Sequence, residues 1–226
     1  MAKNKLRRFA EMKSMDCVFE PDMETSVRDD FELKGNWNRD YFKNNNPIIV
    51  ELGCGKGEYA VGLGKAYPSK NYIGIDIKGA RVYEGAIVVE NEKLNNIGFV
   101  RARIDFVETF FGENEIDEIW LTFSDPQPNK PNKRLSSKVF IDKYRRFLKP
   151  GGLIHLKTDS DILFESTLEE IELHQYDLIE KTWDLYGEMP EGLDSQTREI
   201  LSIRTHYESI FSAKGFKIKY CRFKIS

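Results

Sequence analysis

From residue 47 onward, the spacing between hydrophobic residues changes repeatedly along the chain. Five short runs rich in Ile, Val and Leu have the pattern of buried strands: residues 47–52, 71–75, 97–102, 118–123 and 153–157. Three intervening segments repeat apolar positions every three or four residues, as amphipathic helices do: residues 58–67, 79–95 and 136–148. Strands that alternate with helices predict an α/β fold with a doubly wound, mostly parallel sheet and helices on both faces.

The two ends of the chain complete this prediction. A helix at 160–174, a strand at 176–183, a helix at 197–213 and a strand at 216–224 follow the fifth run. The sheet would then have seven strands in a Rossmann-like arrangement. The first 46 residues are polar and rich in Asn toward their end, which predicts a basic, polar N-terminal arm with limited structure of its own. Residues 47–226 would form the single domain.

Composition narrows the class of protein. The chain has 226 residues, of which 40% are hydrophobic and 31% are charged, enough for one sizeable core. It lacks an apolar stretch of about 20 residues and an N-terminal signal segment, so we expect a cytoplasmic protein without a membrane anchor. Cys17, Cys54 and Cys221 include no CxxC pair, which argues against a disulfide framework and a metal site.

The net charge of −3 is unevenly distributed along the chain. Residues 1–13 carry +4, residues 130–149 carry +7 and residues 214–226 carry +5, so the remainder carries −19. Each run on its own is most simply a solvated face of an acidic protein. Three of them together favour a segregated positive surface that binds a polyanion such as RNA.

A glycine-rich loop between the first predicted strand and helix is the main candidate for a ligand site. Gly53, Gly55 and Gly57 follow Glu51, and such glycines let a backbone turn tightly against a ligand. A phosphate loop would need Ser or Thr after Lys56, and a dinucleotide loop would need one more residue between the glycines. An acid before the glycines suits a cationic ligand better than a pyrophosphate.

Asp76 ends the second predicted strand, where acids of such folds can bind both ribose hydroxyls. S-adenosylmethionine combines a ribose with an ammonium and a sulfonium, so it is the predicted cofactor. The competing interpretations are a structural turn for the loop and an ordinary strand-end acid for Asp76. Cys54 is interpreted as a small filler, since no His or second Cys lies near it in the sequence.

The segment Phe123-Ser124-Asp125-Pro126-Gln127-Pro128, read with the glycine loop, resembles the bacterial tRNA (guanine-N7-)-methyltransferases, a class I S-adenosylmethionine-dependent family. The KTD at 157–159, the TxYE at 205–208 and the N-terminal KNKLRRF also resemble that family. The resemblance implies the class I methyltransferase fold, tRNA as partner and methyl transfer to guanine N7. Its motifs cover the chain from about residue 47 to the C-terminus.

The resemblance also implies roles for particular residues. Cofactor contacts would fall on the acids Glu51, Asp76, Asp105 and Asp125, with Gly53 and Gly55 in the loop. Contacts with tRNA would fall on these residues: Asn129, Lys130, Lys133, Arg134, Asp159, Thr205, His206, Tyr207 and Glu208. The family's lysine after the DP pair is replaced by Asn129, and Lys130 follows, so either could take its role. Many members have Trp where this chain has Gln127.

Simpler interpretations exist for several of these residues. Asp125 could have the merely structural role of forming a turn before Pro126, and Asp159 could have that of beginning a helix. Tyr207 falls on the apolar stripe of the last predicted helix, whereas Thr205 and Glu208 could be solvated. We interpret Asp125 as the catalytic residue. The alternative functions are an NAD-dependent oxidoreductase and a noncatalytic RNA-binding protein. The chain would act as a monomer or a homodimer.

Overall fold

The computed structural model describes residues 2–21, 29–193, 195–203, 208 and 215–225. Its strands are β1 (Val18–Phe19), β2 (Ile48–Leu52), β3 (Asn71–Ile75), β4 (Ile97–Val100), β5 (Ile116–Thr122), β6 (Leu148–Thr158), β7 (Asp177–Thr182) and β8 (Lys219–Lys224). They form one sheet in the order β1-β4-β3-β2-β5-β6-β8-β7. Strand β8 pairs antiparallel with β6 and with β7, and all other neighbouring strands in the order are parallel. The predicted doubly wound α/β fold is confirmed, with eight strands instead of seven.

Helices cover both faces of the sheet. They are α1 (Ala2–Met12), α2 (Glu58–Ala66), α3 (Gly79–Glu92), α4 (Lys138–Tyr144), α5 (Asp161–Leu173) and α6 (Ser195–Ser202). Buried side chains of α1, α2, α3 and α6 share one hydrophobic cluster, and those of α4 and α5 belong to the other. Because both faces are covered, all five residues of β2 are buried, including Glu51 among four apolar residues.

The additional strand lies within the first 46 residues, which have more structure than the sequence indicates. β1 pairs with β4 at the edge of the sheet. The fully buried Trp37 donates its indole N–H to the carbonyl of Phe110 at 2.8 Å. Helix α1 contacts α3 through an Arg8–Glu84 ion pair at 2.7 Å. Long-range contacts that local periodicity does not reveal therefore join this region to the sheet.

The region between β5 and α5 also differs from the prediction. Helix α4 ends at Tyr144, whereas the periodicity predicts a helix to residue 148. The chain leaves the helix early because Leu148 already pairs with Ile116 in the sheet. Strand β6 accordingly begins five residues before the predicted position. Of the predicted helix at 197–213, the structure describes α6 only as far as Ser202.

Candidate functional site

The carboxyl ends of the central parallel strands surround one open cleft of about 810 Å³. It lies where the strand order reverses between β2 and β5, the position at which open α/β sheets bind ligands. Seven of the predicted site residues line it: Gly53, Asp76, Asp105, Asp125, Lys130, Lys133 and Asp159. Residues that are distant in the sequence thus meet at one edge of the sheet.

The glycine loop has the backbone conformation that glycine alone adopts easily. Gly53, Gly55 and Gly57 have φ angles of 82°, 57° and 68°. A Cβ at Gly57 would lie 2.5 Å from the ring of Phe99, whereas a Cβ at Gly53 or Gly55 would meet nothing within 4 Å. Gly57 therefore packs closely against the sheet, and the open side of the first two glycines leaves room for a ligand.

Asp76 fixes this loop from the neighbouring strand. Its Oδ2 accepts a hydrogen bond from the backbone N–H of Gly55 at 3.0 Å, and its Oδ1 accepts one from the N–H of Lys78 at 2.7 Å. Both oxygens have lone pairs to spare, since a carboxylate has about four acceptor positions. The carboxylate is thus held in a defined orientation at the cleft, which suits a group that binds the hydroxyls of a ribose.

The carboxyl group of Glu51 is buried where β2 meets the glycine loop. It accepts hydrogen bonds from the Thr122 hydroxyl and, at 3.2 Å, from the backbone N–H of Ala60 in the first turn of α2. Burial raises the pKa of Glu51 to about 7, although both hydrogen bonds act in the opposite direction. Glu51 is absent from the lining of the cleft. Its contacts join β2 to β5 and α2, and its contact with a cofactor stays a prediction.

Asp105 carries two ion pairs at the far side of the cleft. Its Oδ1 lies 2.9 Å from Nζ of Lys133, and its Oδ2 lies 3.0 Å from Nη2 of Arg103. Partial burial raises the pKa of Asp105, but the hydrogen bonds from Lys133 and Arg103 outweigh this effect and hold it below its usual value. The ionised carboxylate therefore connects β4 to the loop that follows Asp125.

The loop after β5 presents Asp125 to solvent at the cleft. Its Oδ1 accepts the backbone N–H of Gln127 at 2.9 Å. Phe123 and Gln127 on either side have φ angles of 50° and 44°, a strained conformation for such residues that often marks a functional loop. The buried Arg134 supports the loop, because its Nε donates to the carbonyl of Pro126 at 2.9 Å. Arg134 thus lies inside the protein and not on the surface where a phosphate contact is predicted.

Asp159 follows β6 at the cleft, two residues before the first residue of α5. The N-cap of α5 is Ser160, whose hydroxyl accepts the N–H of Leu163 at 3.3 Å. The backbone carbonyl of Asp159 accepts a hydrogen bond from Nζ of Lys219 at 2.8 Å. The N-cap explanation for Asp159 is therefore wrong, and its side chain is available to a ligand in the cleft.

The motif near the C-terminus lies only partly within the described residues. Thr205, His206 and Tyr207 are outside them. Glu208 is fully buried and forms an ion pair with Lys157, so it neither faces solvent nor lines the cleft. Asn129 is exposed beside Lys130, and it too is absent from the lining.

Ion pairs engage many of the basic side chains that the three runs contribute to the described residues. Many of their side chains pair with acids from other parts of the sequence: Lys133 with Asp105, Lys143 and Arg146 with Glu108, Lys149 with Asp117, Lys217 with Asp184, Lys219 with Asp161 and Arg222 with Glu180. Tertiary pairing thus neutralises much of the charge that is segregated in the sequence.

The cleft nevertheless has basic residues on two sides. Lys130 and Lys133 lie on the loop after Asp125, and Lys78, Arg81 and Arg103 line the other side. The latter three were missed by the sequence analysis because they lie outside the basic runs. Their positions just after β3 and β4 could have revealed them, since the carboxyl ends of parallel strands meet at the ligand site.

Two kinds of feature are absent from the described residues. No helix in them is both long and apolar enough to cross a lipid bilayer. They also contain no group of three or more His, Cys, Asp or Glu side chains arranged to hold a metal ion. The thiol of Cys54 is buried, and burial raises its pKa well above the usual value, which fits a filler and not a nucleophile.

Comparisons of the sequence with known proteins agree with this geometry. Residues 45–221 match the profile of the family described as "Putative methyltransferase". The tRNA (guanine-N(7)-)-methyltransferase of Bacteroides thetaiotaomicron is 45% identical over 225 residues, which cover 100% of this chain and 87% of that protein. The protein of the same name from Porphyromonas gingivalis is 48% identical over 193 residues, covering 85% of this chain and 77% of that protein.

Solved structures share the fold at much lower identity. The 16S rRNA methyltransferase KamB superposes with a TM-score of 0.62 at 11% identity, over 85% of this chain and 94% of that one. At such identity the likeness concerns the fold alone.

Proposed function

Since this chain belongs to the tRNA (guanine-N7-)-methyltransferase family, we propose that it transfers the methyl group of S-adenosylmethionine to N7 of a guanine in tRNA. The observation that carries the proposal is the meeting of Asp76, Asp105, Asp125 and Asp159 around one cleft beside the glycine loop. The open side of Gly53 and Gly55 fits the cofactor, because no side chain would fill that space.

The cofactor binds along the carboxyl edge of β2, β3 and β4. In this arrangement the oriented carboxylate of Asp76 would accept hydrogen bonds from the ribose hydroxyls, and Asp105 would accept one from the adenine amine. The bound cofactor supplies an electrophilic methyl group on a sulfonium. Guanine N7 carries a lone pair and no proton, so the reaction needs no general base. Catalysis therefore depends on holding the two reactants in line, which can contribute about 7 to 11 kcal/mol.

Asp125 is the catalytic residue in this proposal. Methylation at N7 makes the purine cationic, so a carboxylate beside the ring stabilises the charge that develops. The same group can accept hydrogen bonds from N1 and N2 of guanine and so select the base. The hydrogen bond from Gln127 and the Arg134–Pro126 contact fix the loop that presents it. Asp125 is thus oriented before the substrate arrives.

The tRNA is held through its phosphates and through the residues at the rim of the cleft. A target guanine must leave its stack to reach the methyl group, which costs a few kcal/mol. Phosphate contacts offset this cost, and Lys130 and Lys133 on one side and Lys78 and Arg81 on the other are placed to make them. Lys130 takes the role of the family's lysine, because it lines the cleft and Asn129 does not. Asp159 contacts the substrate from the end of β6.

The organisation of the chain follows from these roles. The methyltransferase domain consists of residues 47–226 together with β1 and Trp37 from the first 46 residues, and the basic residues of this N-terminal region extend the tRNA surface. The protein is proposed to act in the cytoplasm, and a tRNA substrate supports this location. Its assembly as a monomer or a homodimer stays a prediction.

The test of this function is methyl transfer from tritium-labelled S-adenosylmethionine to bulk tRNA, followed by borohydride and aniline cleavage at the modified base. We expect wild-type protein to direct cleavage at guanine. Absence of cleavage would reject the N7 assignment, and titration calorimetry with S-adenosylmethionine and NAD would then separate a methyltransferase from an oxidoreductase.

Asp125→Ala tests the catalytic residue within the same assay. We expect turnover to fall by about 10²-fold or more while the cofactor still binds, since electrostatic stabilisation of this kind is worth about that factor. Asp142→Ala is the matched control, because Asp142 is an exposed acid on α4 that pairs with Lys138 and does not line the cleft. Full activity of Asp125→Ala would remove Asp125 from the mechanism.

A further inference from the structure

Helix α1 packs against α3, and α3 begins at the edge of the cleft. Arg8 of α1 pairs with Glu84 of α3 at 2.7 Å, and the hydroxyl of Tyr83 in α3 donates to Oε2 of Glu11 in α1 at 2.6 Å. These two contacts hold α1 beside the second turn of α3. Phe9 lies between them in the sequence, and its ring contacts the start of α3.

The ring of Phe9 lies directly against Gly79, the first residue of α3. A Cβ at Gly79 would be 2.4 Å from Cε1 of the ring, so the ring can come this close to the main chain because position 79 has no side chain. The contact adjoins the cleft, since residues 76–78 before Gly79 and Arg81 after it line the cleft. Phe9 therefore supports this side of the cleft from behind.

Arg101 connects the same ring to the end of β4. Its guanidinium lies over the ring of Phe9, with Cζ 4.5 Å from the ring centroid, a favourable cation–π arrangement. Its Nη1 pairs with Glu20 at 2.6 Å, and its backbone N–H donates to the carbonyl of Phe19 at 2.8 Å. Arg101 directly follows β4 and precedes residues 102–105, which line the cleft. One aromatic side chain thus contacts both segments that form this side of the cleft.

The segment behind which Phe9 packs is the turn that orients Asp76. The N–H of Lys78 donates to Oδ1 of Asp76 at 2.7 Å, and the N–H of Gly79 donates to the carbonyl of Ile77 at 3.1 Å. The side chain of Ile77 is 44% exposed, so the turn has little packing of its own on the side that faces solvent. Its position therefore depends on the ring that packs against Gly79.

We propose that Phe9 is a positioning residue for cofactor binding: its ring, held by Arg101, keeps the turn from Asp76 to Gly79 in the conformation that accepts the ribose. The inference rests on the proposed function, because it takes S-adenosylmethionine as the ligand of the cleft. Without the ring, the turn occupies this conformation for a smaller fraction of the time. The apparent Kd rises in inverse proportion to that fraction.

The experiment compares Phe9→Ala with wild-type protein, at a temperature where circular dichroism shows both to be folded. We expect the calorimetric Kd and the KM for S-adenosylmethionine to rise about tenfold, the value for a turn that is correctly placed about a tenth of the time. The kcat should stay within about twofold, because Asp125 lies on the other side of the cleft and has its own support from Arg134. Phe9→Leu keeps an apolar side chain against Gly79 and should hold the Kd within about threefold of the wild-type value.

Gly79→Ala breaks the same contact from the other side. Its Cβ would lie 2.4 Å from Cε1 of Phe9 and 2.7 Å from Nε of Arg101, so it should also raise the Kd. The double variant should exceed the weaker-binding single variant by no more than about twofold, since both changes remove one contact. Effects that multiply would mean that the two residues act independently, which would overturn the inference.

Tyr41→Ala is the matched control. Like Phe9, Tyr41 is an aromatic residue of the N-terminal region that packs on a glycine, since a Cβ at Gly98 would lie 2.9 Å from its Cε1. Its hydroxyl donates to the carbonyl of Ile97 at 2.7 Å, at the amino end of β4 and away from the cleft. Tyr41→Ala should lower the urea midpoint of unfolding without changing the Kd. An equal rise in Kd for Tyr41→Ala and Phe9→Ala would show that Phe9 only stabilises the fold.

Amide hydrogen exchange follows the turn without any cofactor. Phe9→Ala should speed the exchange of the N–H groups of Lys78 and Gly79 by about tenfold and leave that of Gln127, which bonds to Asp125, unchanged. Unchanged exchange at Lys78 and Gly79 would refute the inference whatever ligand the cleft binds. Wild-type protein that does not bind S-adenosylmethionine would instead reject the proposed function, and the exchange rates would still show whether Phe9 holds the turn.

Discussion

Replacement of Glu51 by Gln tests the buried carboxyl group at the glycine loop. Burial raises the pKa of Glu51 from 4.5 to about 7. Each unit of difference in pKa corresponds to about 1.4 kcal/mol, so the ionised form costs about 3 kcal/mol in the folded protein. Gln keeps the shape and one carbonyl acceptor for Thr122 or Ala60, but it cannot ionise.

The sign of the pH dependence follows from the raised pKa. The folded protein binds the proton more tightly than the unfolded chain, so the contribution to stability is complete below about pH 4.5. It is lost as the pH rises through about 7. Between pH 5 and pH 8 the wild-type protein should therefore lose about 2 to 3 kcal/mol of unfolding free energy that Glu51→Gln does not lose.

Urea unfolding of both proteins at pH 5 and pH 8 measures this difference. The other titratable groups are the same in both proteins, so their contribution to the pH dependence of stability cancels in the comparison. Equal pH dependence of the two proteins would show that Glu51 is ionised at both pH values, and the reasoning from burial would be wrong. Titration with S-adenosylmethionine adds a second measurement. If a cationic cofactor stabilises the ionised carboxylate, its affinity for wild-type protein should rise with pH through about 7 and stay constant for Glu51→Gln.

Other parts of the cleft give further predictions. Lys130→Ala should make the slope of log K for tRNA against log salt less negative by about 0.7 to 0.9, since one phosphate contact is lost; an unchanged slope would exclude that contact. Lys133→Ala should let the pKa of Asp105 rise toward its usual value, because one of the two cations that lower it is removed. A carboxyl NMR titration measures this change. Gly57→Ala should abolish cofactor binding in calorimetry. It should also lower the free energy of unfolding by more than the strain of a left-handed alanine, which is about 1–2 kcal/mol, because the new Cβ would lie 2.5 Å from the Phe99 ring. Gly151→Ala, with φ of 76° and open space around it, should cost only that strain and leave binding unchanged.

Local features of the sequence were enough to predict the central architecture. The segment Ile48–Leu52 is apolar at every position except Glu51, a pattern that favours burial on both faces and so indicates a parallel strand within a covered sheet. Glycines at a strand end adopt φ values that other residues avoid, which identified the loop at Gly53. Parallel strands all end at the same edge, and for that reason the sequence alone assigns Asp76 and Asp125 to one cleft.

The predictions that failed concern contacts between distant parts of the chain. The first 46 residues contain too little periodicity to reveal that Trp37 reaches the carbonyl of Phe110. Runs of basic residues indicate charge, but their acidic partners come from other segments, as Lys149 and Asp117 show. Lys78 and Arg81 were overlooked because two isolated cations do not form a run.

Glu208 shows most clearly why sequence is insufficient here. Its position beside an apolar stripe is compatible with a solvated face, and nothing local distinguishes that from full burial. Whether a carboxylate can be buried depends on a cation brought to it by the fold, and Lys157 lies 51 positions away in another element. The free energy of a buried charge is set by the groups that surround it in space, so its place could be known only once the whole chain was folded.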